Sequence, residues 1–568
     1  GEASLDIEIV SMTTRTSGDP RELGLRLEAV TIENQPLGAR LGALLRLDAV
    51  VVAVAGACAW LVGAWVVGAA PMRRRWLAGL ASWSAMALAL GRGGVAVLAV
   101  PWVPAVTALL AVSTTWLFVR AGHRRATAVA SGIVVGAQAL VILSWCLSTF
   151  VDVPTFDLWE IVPLIEAQEA RGFAWADLFA SHNEHRPVMA RAVILANIAV
   201  GHWNHWNELT VLLGTVAVHV VVYLAVVRRA APERVTATVL AVTGVGTFIA
   251  SATQWENLLH PWQMTAVIGA TAVSAALAVL VWCKPSWPAW TGALMAMLVG
   301  TGAFASCLVA WPLGAFALAV RRGPQWHWRT AAWLLAATVV GVGYLHGLVR
   351  PAGLPPPARL FSSIDETLFV LQGMCIALAM PVWYTPLAIP QGQVVPWNHL
   401  PSIGVGAAAL GVALTALKWR RAAGDPATWL WPALLMLFAL GACLATAIGR
   451  VPLGLSAMTA SRYIALTSLF WVGLVLLLTV FTPLRAAWAR GASLGLAAIV
   501  IVLGLRGWVD GRPFLESDYI GTSLGRDALL RGDIAATTML FPTPPVLDER
   551  QQVLRRRGLS LFRPGARD

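Results

Sequence analysis

The sequence predicts an all-α polytopic integral membrane protein of about 14 transmembrane helices, preceded by a small N-terminal β-element. Three observations carry this. Of 568 residues, 58% are hydrophobic and only 12% are charged, where a soluble globular chain carries about 25% charged residues. Apolar runs of roughly 20 residues, the length a helix needs to cross a bilayer, recur along the chain. Arginine clusters fall between alternate runs, as the positive-inside rule requires of cytoplasmic connections. The short segments of alternating polarity that a β-barrel needs are absent.

The elements follow in order. Residues 1–41 contain LDIEIVSMTT and LRLEAVTIE, two alternating stretches joined by the turn-rich TSGDPREL, and read as an extracytoplasmic β-hairpin-like segment. No basic-then-apolar signal segment precedes them, which suggests that an upstream piece is missing or the start is unusual. The membrane domain, 42–508, opens with spans at 46–69, 76–92, 97–119 and 126–148. After a polar loop, residues 187–203 are apolar but broken by Arg191 and Asn197, which suits an interfacial helix. Further spans lie at 209–227, 235–253, 264–282, 289–306, 307–320 and 330–348. Residues 367–402 are rich in breakers and read as interfacial or re-entrant. A single crossing there would put Lys418 and Arg420-Arg421 on the wrong side. The last spans are 403–418, 426–447, 463–481 and 492–508, and 509–568 is an extracytoplasmic C-terminal tail.

Charge sets the orientation. The clusters at 73–75, 120–125, 228–234, 321–329, 418–421 and 485–490, together with Lys284, share one side, which is then cytoplasmic. The loops 149–208, 253–263, 349–402 and 448–462 then face outside. The same placement explains the net charge of +12, so no nucleic-acid partner is expected. Many of the 28 tryptophans sit at span ends, as interfacial belts do. The six cysteines lack CxxC spacing, and neither a metal cluster nor a disulfide framework is expected.

One stretch concentrates ionisable groups: residues 152–186, DVPTFDLWEIVPLIEAQEARGFAWADLFASHNEHR. Asp157 and Glu160 stand three apart and share a face if helical. They suit a general base, metal ligands or, for Asp157, a helix cap. His182, Asn183, Glu184, His185 and Arg186 offer donors, acceptors and a guanidinium fork that fits phosphate. Ion pairing at a helix start is the plainer use of the same residues. Elsewhere on the outer side stand Trp255, Glu256 and Gln263, then Arg350 and Arg359, then Arg462. Arginines there suit a lipid phosphate or simple snorkelling to headgroups. No Walker A loop, HExxH motif or GxGxxG followed by a strand–helix pattern stands in the chain, which argues against ATP-driven and dinucleotide chemistry.

The layout resembles the GT-C superfamily of polytopic membrane glycosyltransferases, with FDLWE at 156–160 where that likeness places a catalytic carboxylate. HNEHR at 182–186, WN at 206–207, QWENLLHPWQ at 254–263, ASCLVAWPLG at 305–314 and SRYIALTSLFW at 461–471 also look like a family of uncharacterised bacterial polytopic membrane proteins. That second likeness brings no assigned activity. The chain departs from the GT-C pattern in one respect. No paired acidic motif follows the first span, and the acidic loop comes only after the fourth.

The GT-C resemblance implies a bacterial inner-membrane enzyme with its active face extracytoplasmic. It would move a sugar from a polyprenyl-phosphate donor to an envelope glycan, lipid or protein acceptor. Asp157, with Glu160 beside it, would be catalytic, and the donor would rest against the outer arginines. No cofactor is expected, with a divalent metal left open. A transporter or flippase of lipid-linked saccharides is the alternative; it calls for charges deep in spans and an inverted repeat, neither of which is evident. A non-catalytic scaffold for envelope assembly is a third reading.

Overall fold

A computed structural model describes residues 123–183, 185–230, 234–348, 356–384, 400–421, 427–480 and 487–564. The expected β-element at 1–41, the first three spans, Glu184, Arg350 and most of 385–402 lie outside the described residues. Within them the chain is helical and forms no strand; the sole β-bridge pairs His182 with His185. Seven of the described helices are long and apolar enough to cross a membrane, and three shorter apolar helices accompany them. The protein is thus a multi-pass, all-α membrane protein.

Helix α1 (His123–Thr149) leads into a 3-10 turn, Phe156–Ile161, then α2 (Val162–Arg171), α3 (Trp175–Phe179) and α4 (Val188–Gly201). At 14 residues, α4 spans only about 21 Å, too short to cross. Then come α5 (His205–Ala230), α6 (Val235–Ile249), α7 (Trp255–Leu259), α8 (Met264–Trp282), α9 (Trp287–Ala303), α10 (Ala310–Arg321) and α11 (Trp326–Leu345). The last are α12 (Ile364–Ala379), α13 (Leu400–Arg421), α14 (Ala427–Arg450), α15 (Ile464–Leu478), α16 (Ala487–Arg531) and α17 (Pro544–Arg557).

Helices α8 and α15 are apolar on every side, so they are stable only when surrounded by protein or lipid. In α15 every residue is buried, and in α8 nearly all are. They form the centre of the bundle. Lipid gives no hydrophobic drive for helices to associate, so close packing and interhelical hydrogen bonds must hold them. Gly473 of α15 supplies the packing: a Cβ there would stand 2.7 Å from the Pro432 carbonyl oxygen of α14. Gln138 Nε2 of α1 donates to the Thr243 carbonyl of α6 (3.0 Å), and Trp508 Nε1 of α16 donates to the Thr247 carbonyl (2.7 Å). Such bonds contribute about 1 kcal/mol each.

Two sequence expectations change. The last span does not stop at 508: α16 is one 45-residue helix that runs on through the polar segment to Arg531, with Pro513 inside it. Intrahelical pairs Arg506–Asp510 and Arg512–Glu516, both at i,i+4 spacing, support the continuation. Nor is Asp157 a helix cap. Thr155 holds the N-cap position and Asp157 lies in the first turn.

The bundle has two ends that α8 joins. The 19-residue α8 carries the chain about 28 Å from Gln263 at one end to Lys284 at the other. Tyr384, which follows α12, lies at the Gln263 end. The tail folds back over this end as well. Arg550 forks onto Glu160 (3.0 and 3.1 Å), Arg557 pairs with Glu169 (3.1 Å), Arg556 approaches Glu166 (3.8 Å), and Arg563 holds Asp152. The two exposed pairs, of Arg556 and Arg557, contribute at most about 1 kcal/mol each, whereas Arg563 and Asp152 are mostly enclosed. The anchor beneath them is buried: His205 Nδ1 meets Glu208 Oε2 at 3.0 Å, and His205 Nε2 meets Ser560 Oγ at 2.9 Å, with His205 and Glu208 fully enclosed.

Candidate functional site

A cleft of about 550 Å³ opens at the Gln263 end of the bundle. Four separate chain segments build its walls. The first is the 3-10 turn bearing Asp157. Phe156, with φ at 47°, starts this turn, and its N–H donates to the Leu540 carbonyl of the tail (2.7 Å). Its ring packs edge-on against His260.

The second wall is the turn that carries His182, Asn183 and His185. His182 and His185 exchange backbone hydrogen bonds at 2.8 and 3.0 Å across Asn183, whose φ of 50° is one that asparagine tolerates. This tight reversal sends both imidazoles into the cleft. His185 stacks on Phe304 at 4.5 Å, and His182 packs edge-on against Trp262 at 5.0 Å. His182 Nε2 has no hydrogen-bond partner and stands 3.6 Å from Asp157 Oδ2.

The third and fourth walls are the QWEN and SRY segments, which interlock. Ser461 Oγ donates to the Thr253 carbonyl (2.7 Å), Asn257 Nδ2 donates to the Ser461 carbonyl (3.2 Å), and the Arg462 N–H donates to Glu256 Oε2 (2.7 Å). Trp255 Nε1 donates to the Tyr384 hydroxyl at 2.9 Å. These bonds fix Arg462 at the cleft edge. Arg450, the last residue of α14, lines the same cavity.

The electrostatics centre on Asp157, whose side chain is 37% exposed. Its enclosure works to raise its pKa. The adjacent His182, then the charges of Arg462 and Arg450, outweigh that and hold the carboxyl below its ordinary value. Asp157 is therefore a carboxylate at neutral pH. It can accept a proton or stabilise positive charge, and it is a poor proton donor.

Behind the cleft, His260 bonds Thr155 through Nδ1 (2.7 Å) and Asp518 of α16 through Nε2 (3.1 Å). Burial would lower its pKa, but Asp518, by charge and hydrogen bond, and Glu256 outweigh this and hold it above the usual imidazole value. A raised histidine stabilises the fold fully below its unfolded pKa of about 6.5, and loses that contribution as pH climbs through the higher folded value. The thermal midpoint in detergent should therefore fall between about pH 6 and pH 9. Asp518→Asn should flatten this dependence, and an equally steep fall in the variant would refute the pairing.

Of the sequence candidates, Asp157, His182, Asn183, His185, Trp255, Glu256, Gln263 and Arg462 line the cleft. Three other candidates do not line it. Glu160 turns away into its fork with Arg550, a partner 390 residues distant. Arg186 spends its guanidinium on the carbonyls of Tyr344, Phe179 and His346 and so anchors the loop. Arg359 is exposed on the 3-10 turn Pro357–Phe361. Sequence reasoning missed Arg450, Tyr384 and Phe304. Arg450 had a readable signal: it is a lone cation that closes a long apolar run. Among the described residues no group of three or more His, Cys, Asp or Glu gathers with metal-ligand geometry.

Comparison with known proteins finds no matching family model and no matching curated sequence. Among solved structures, the chain is similar to the crystal structure of ArnT from Cupriavidus metallidurans in the apo state. The identity is 15% over 75% of this chain and 76% of that one, with a TM-score of 0.34.

Proposed function

We propose that this chain is a membrane glycosyltransferase that moves a sugar from a polyprenyl-phosphate donor to a glycan, lipid or protein acceptor of the bacterial envelope, on the outer face of the inner membrane. One observation carries the reading. An ionised carboxylate, Asp157, shares a cleft of about 550 Å³ with two arginines, Arg450 and Arg462. Substitution at a sugar carbon with loss of a phosphate needs this pairing of a proton acceptor with positive charge for the leaving group.

The steps follow from the layout. The prenyl chain stays in the bilayer, and the sugar phosphate enters the cleft between Trp255, Trp262 and Tyr384, whose rings suit a pyranose face. The acceptor hydroxyl loses its proton to Asp157 as its oxygen bonds to the anomeric carbon. The bond from that carbon to the phosphate oxygen breaks, and the electron pair leaves with the prenyl phosphate, held by Arg450 and Arg462. Attack opposite the departing phosphate inverts the anomeric centre. The depressed pKa of Asp157 keeps it ionised, so the acceptor's proton moves late, as the sugar's positive charge develops.

Proteoliposomes carrying the purified chain, supplied with radiolabelled polyprenyl-phosphate sugars and an envelope extract as acceptor, should release labelled product and free prenyl phosphate. Labelled lipid crossing the bilayer with its sugar still attached, and no transfer, would instead establish transport.

A further inference from the structure

At the opposite end of α8 lies a second, smaller recess, of about 20 Å³, where the α8–α9 and α10–α11 junctions meet. A space this small encloses about one water-sized group, so it takes the leading oxygen of a larger anion seated at its mouth and excludes a sugar. Three cationic side chains line it, Lys284, Arg321 and Arg329, and no acidic residue does. Arg329 is only 6% exposed, yet its Nε and Nη1 have no hydrogen-bond partner, and the Arg321 Nε is also buried and unpartnered. The Arg329 guanidinium lies over the Trp287 ring at 5.3 Å, which leaves its N–H edge unsatisfied. The N-terminus of the 17-residue α9, capped by Ser286, adds its positive end to the same recess. A buried guanidinium with idle donors is strongly disfavoured unless an anion meets it.

We propose that this recess is a binding site for a phosphate group, the headgroup phosphate of a membrane lipid or a free phosphate. The planar donor edge of Arg329 fits two phosphate oxygens, and Arg321 and Lys284 neutralise the remaining charge. Trp287 and Trp328, 45% and 67% exposed, mark this end as a membrane boundary, where lipid phosphates lie. The site is separate from the sugar-transfer cleft, about 28 Å away along α8, and stands whether or not the transferase reading does.

The test is thermal unfolding of the delipidated full chain in a non-ionic detergent, with added dioleoyl phosphatidylglycerol in one arm and sodium phosphate in the other. Wild type should gain roughly 2–4 °C at saturating ligand. A gain with the lipid alone identifies a headgroup site; a gain with phosphate as well identifies a general phosphate site. Arg329→Met should lose the gain, and without ligand it should unfold no earlier than wild type, since the idle charge is gone. Arg321→Gln, a change at a less buried position, should lose part of the gain and guards against a folding defect in the first variant. No gain in wild type with either addition, or a full gain in both variants, would overturn the proposal.

Discussion

Asp157→Asn should reduce sugar transfer by about 10²–10⁴-fold, the usual weight of a positioned general base. Asparagine keeps the size of the side chain but cannot take the acceptor's proton. The fold should hold, because the tail and the His205–Glu208 anchor do not depend on Asp157. Binding of the prenyl-phosphate donor should change little, since Arg450 and Arg462 would hold its phosphate. A fall in kcat with KM nearly constant is the expected pattern. The pH profile of the wild type adds an independent check. A carboxylate held below its ordinary pKa stays ionised through the neutral range, so activity should not fall on acidification until below about pH 4. Full activity in Asp157→Asn would remove the residue from the chemistry. An acid limb at pH 6 would point to a group other than Asp157 in the role of base.

The second large effect is on stability. Glu208→Ala should cost about 3–5 kcal/mol, because each buried hydrogen-bond partner it strands costs about 1–3 kcal/mol. Glu208 Oε1 accepts from Asn197 Nδ2 (3.1 Å) and Trp203 Nε1 (3.0 Å), while Oε2 meets His205. Alanine strands all three in an enclosed site. Glu208→Gln keeps one acceptor oxygen and should cost less, about 1–3 kcal/mol. Thermal unfolding in detergent measures the difference, and limited proteolysis of α17 should show the tail released in the alanine variant. The order Ser560–His205–Glu208 resembles a hydrolase triad, but with His205 and Glu208 at 0% exposure no substrate can reach it. Ser560→Ala should therefore leave transfer unchanged per folded molecule. An unaltered midpoint in Glu208→Ala would mean that the anchor carries no stability.

Much of the architecture was legible because a bilayer demands long apolar helices, and composition reveals those directly. The cleft was legible in part for a related reason. Polar residues crowded at span ends, such as Asp157, HNEH and QWEN, have few structural uses in so apolar a chain. Ion pairing was not legible. Glu160 and Asp157 look equivalent in sequence, and only Arg550, arriving from 390 residues away, separates their roles. Arg186 reads as a phosphate ligand until the carbonyls around it are known. The length of α16 was hidden by Gly511, Arg512 and Pro513, which look like a stop. A Cβ at Gly511 would come within 2.5 Å of the Ala252–Thr253 backbone, so this glycine serves close helix packing rather than a turn.

The buried anchor also bears on how the molecule is made. Ser560 closes onto His205 across 355 residues, and Arg563 onto Asp152 across 411. At typical synthesis rates the ribosome needs on the order of a minute to cover that interval. The acidic loop leaves the translocon long before its clamp exists. During that time it must wait unlatched while the later spans insert. A product terminated before Ser560 should thus reach the membrane with its acidic loop unlatched.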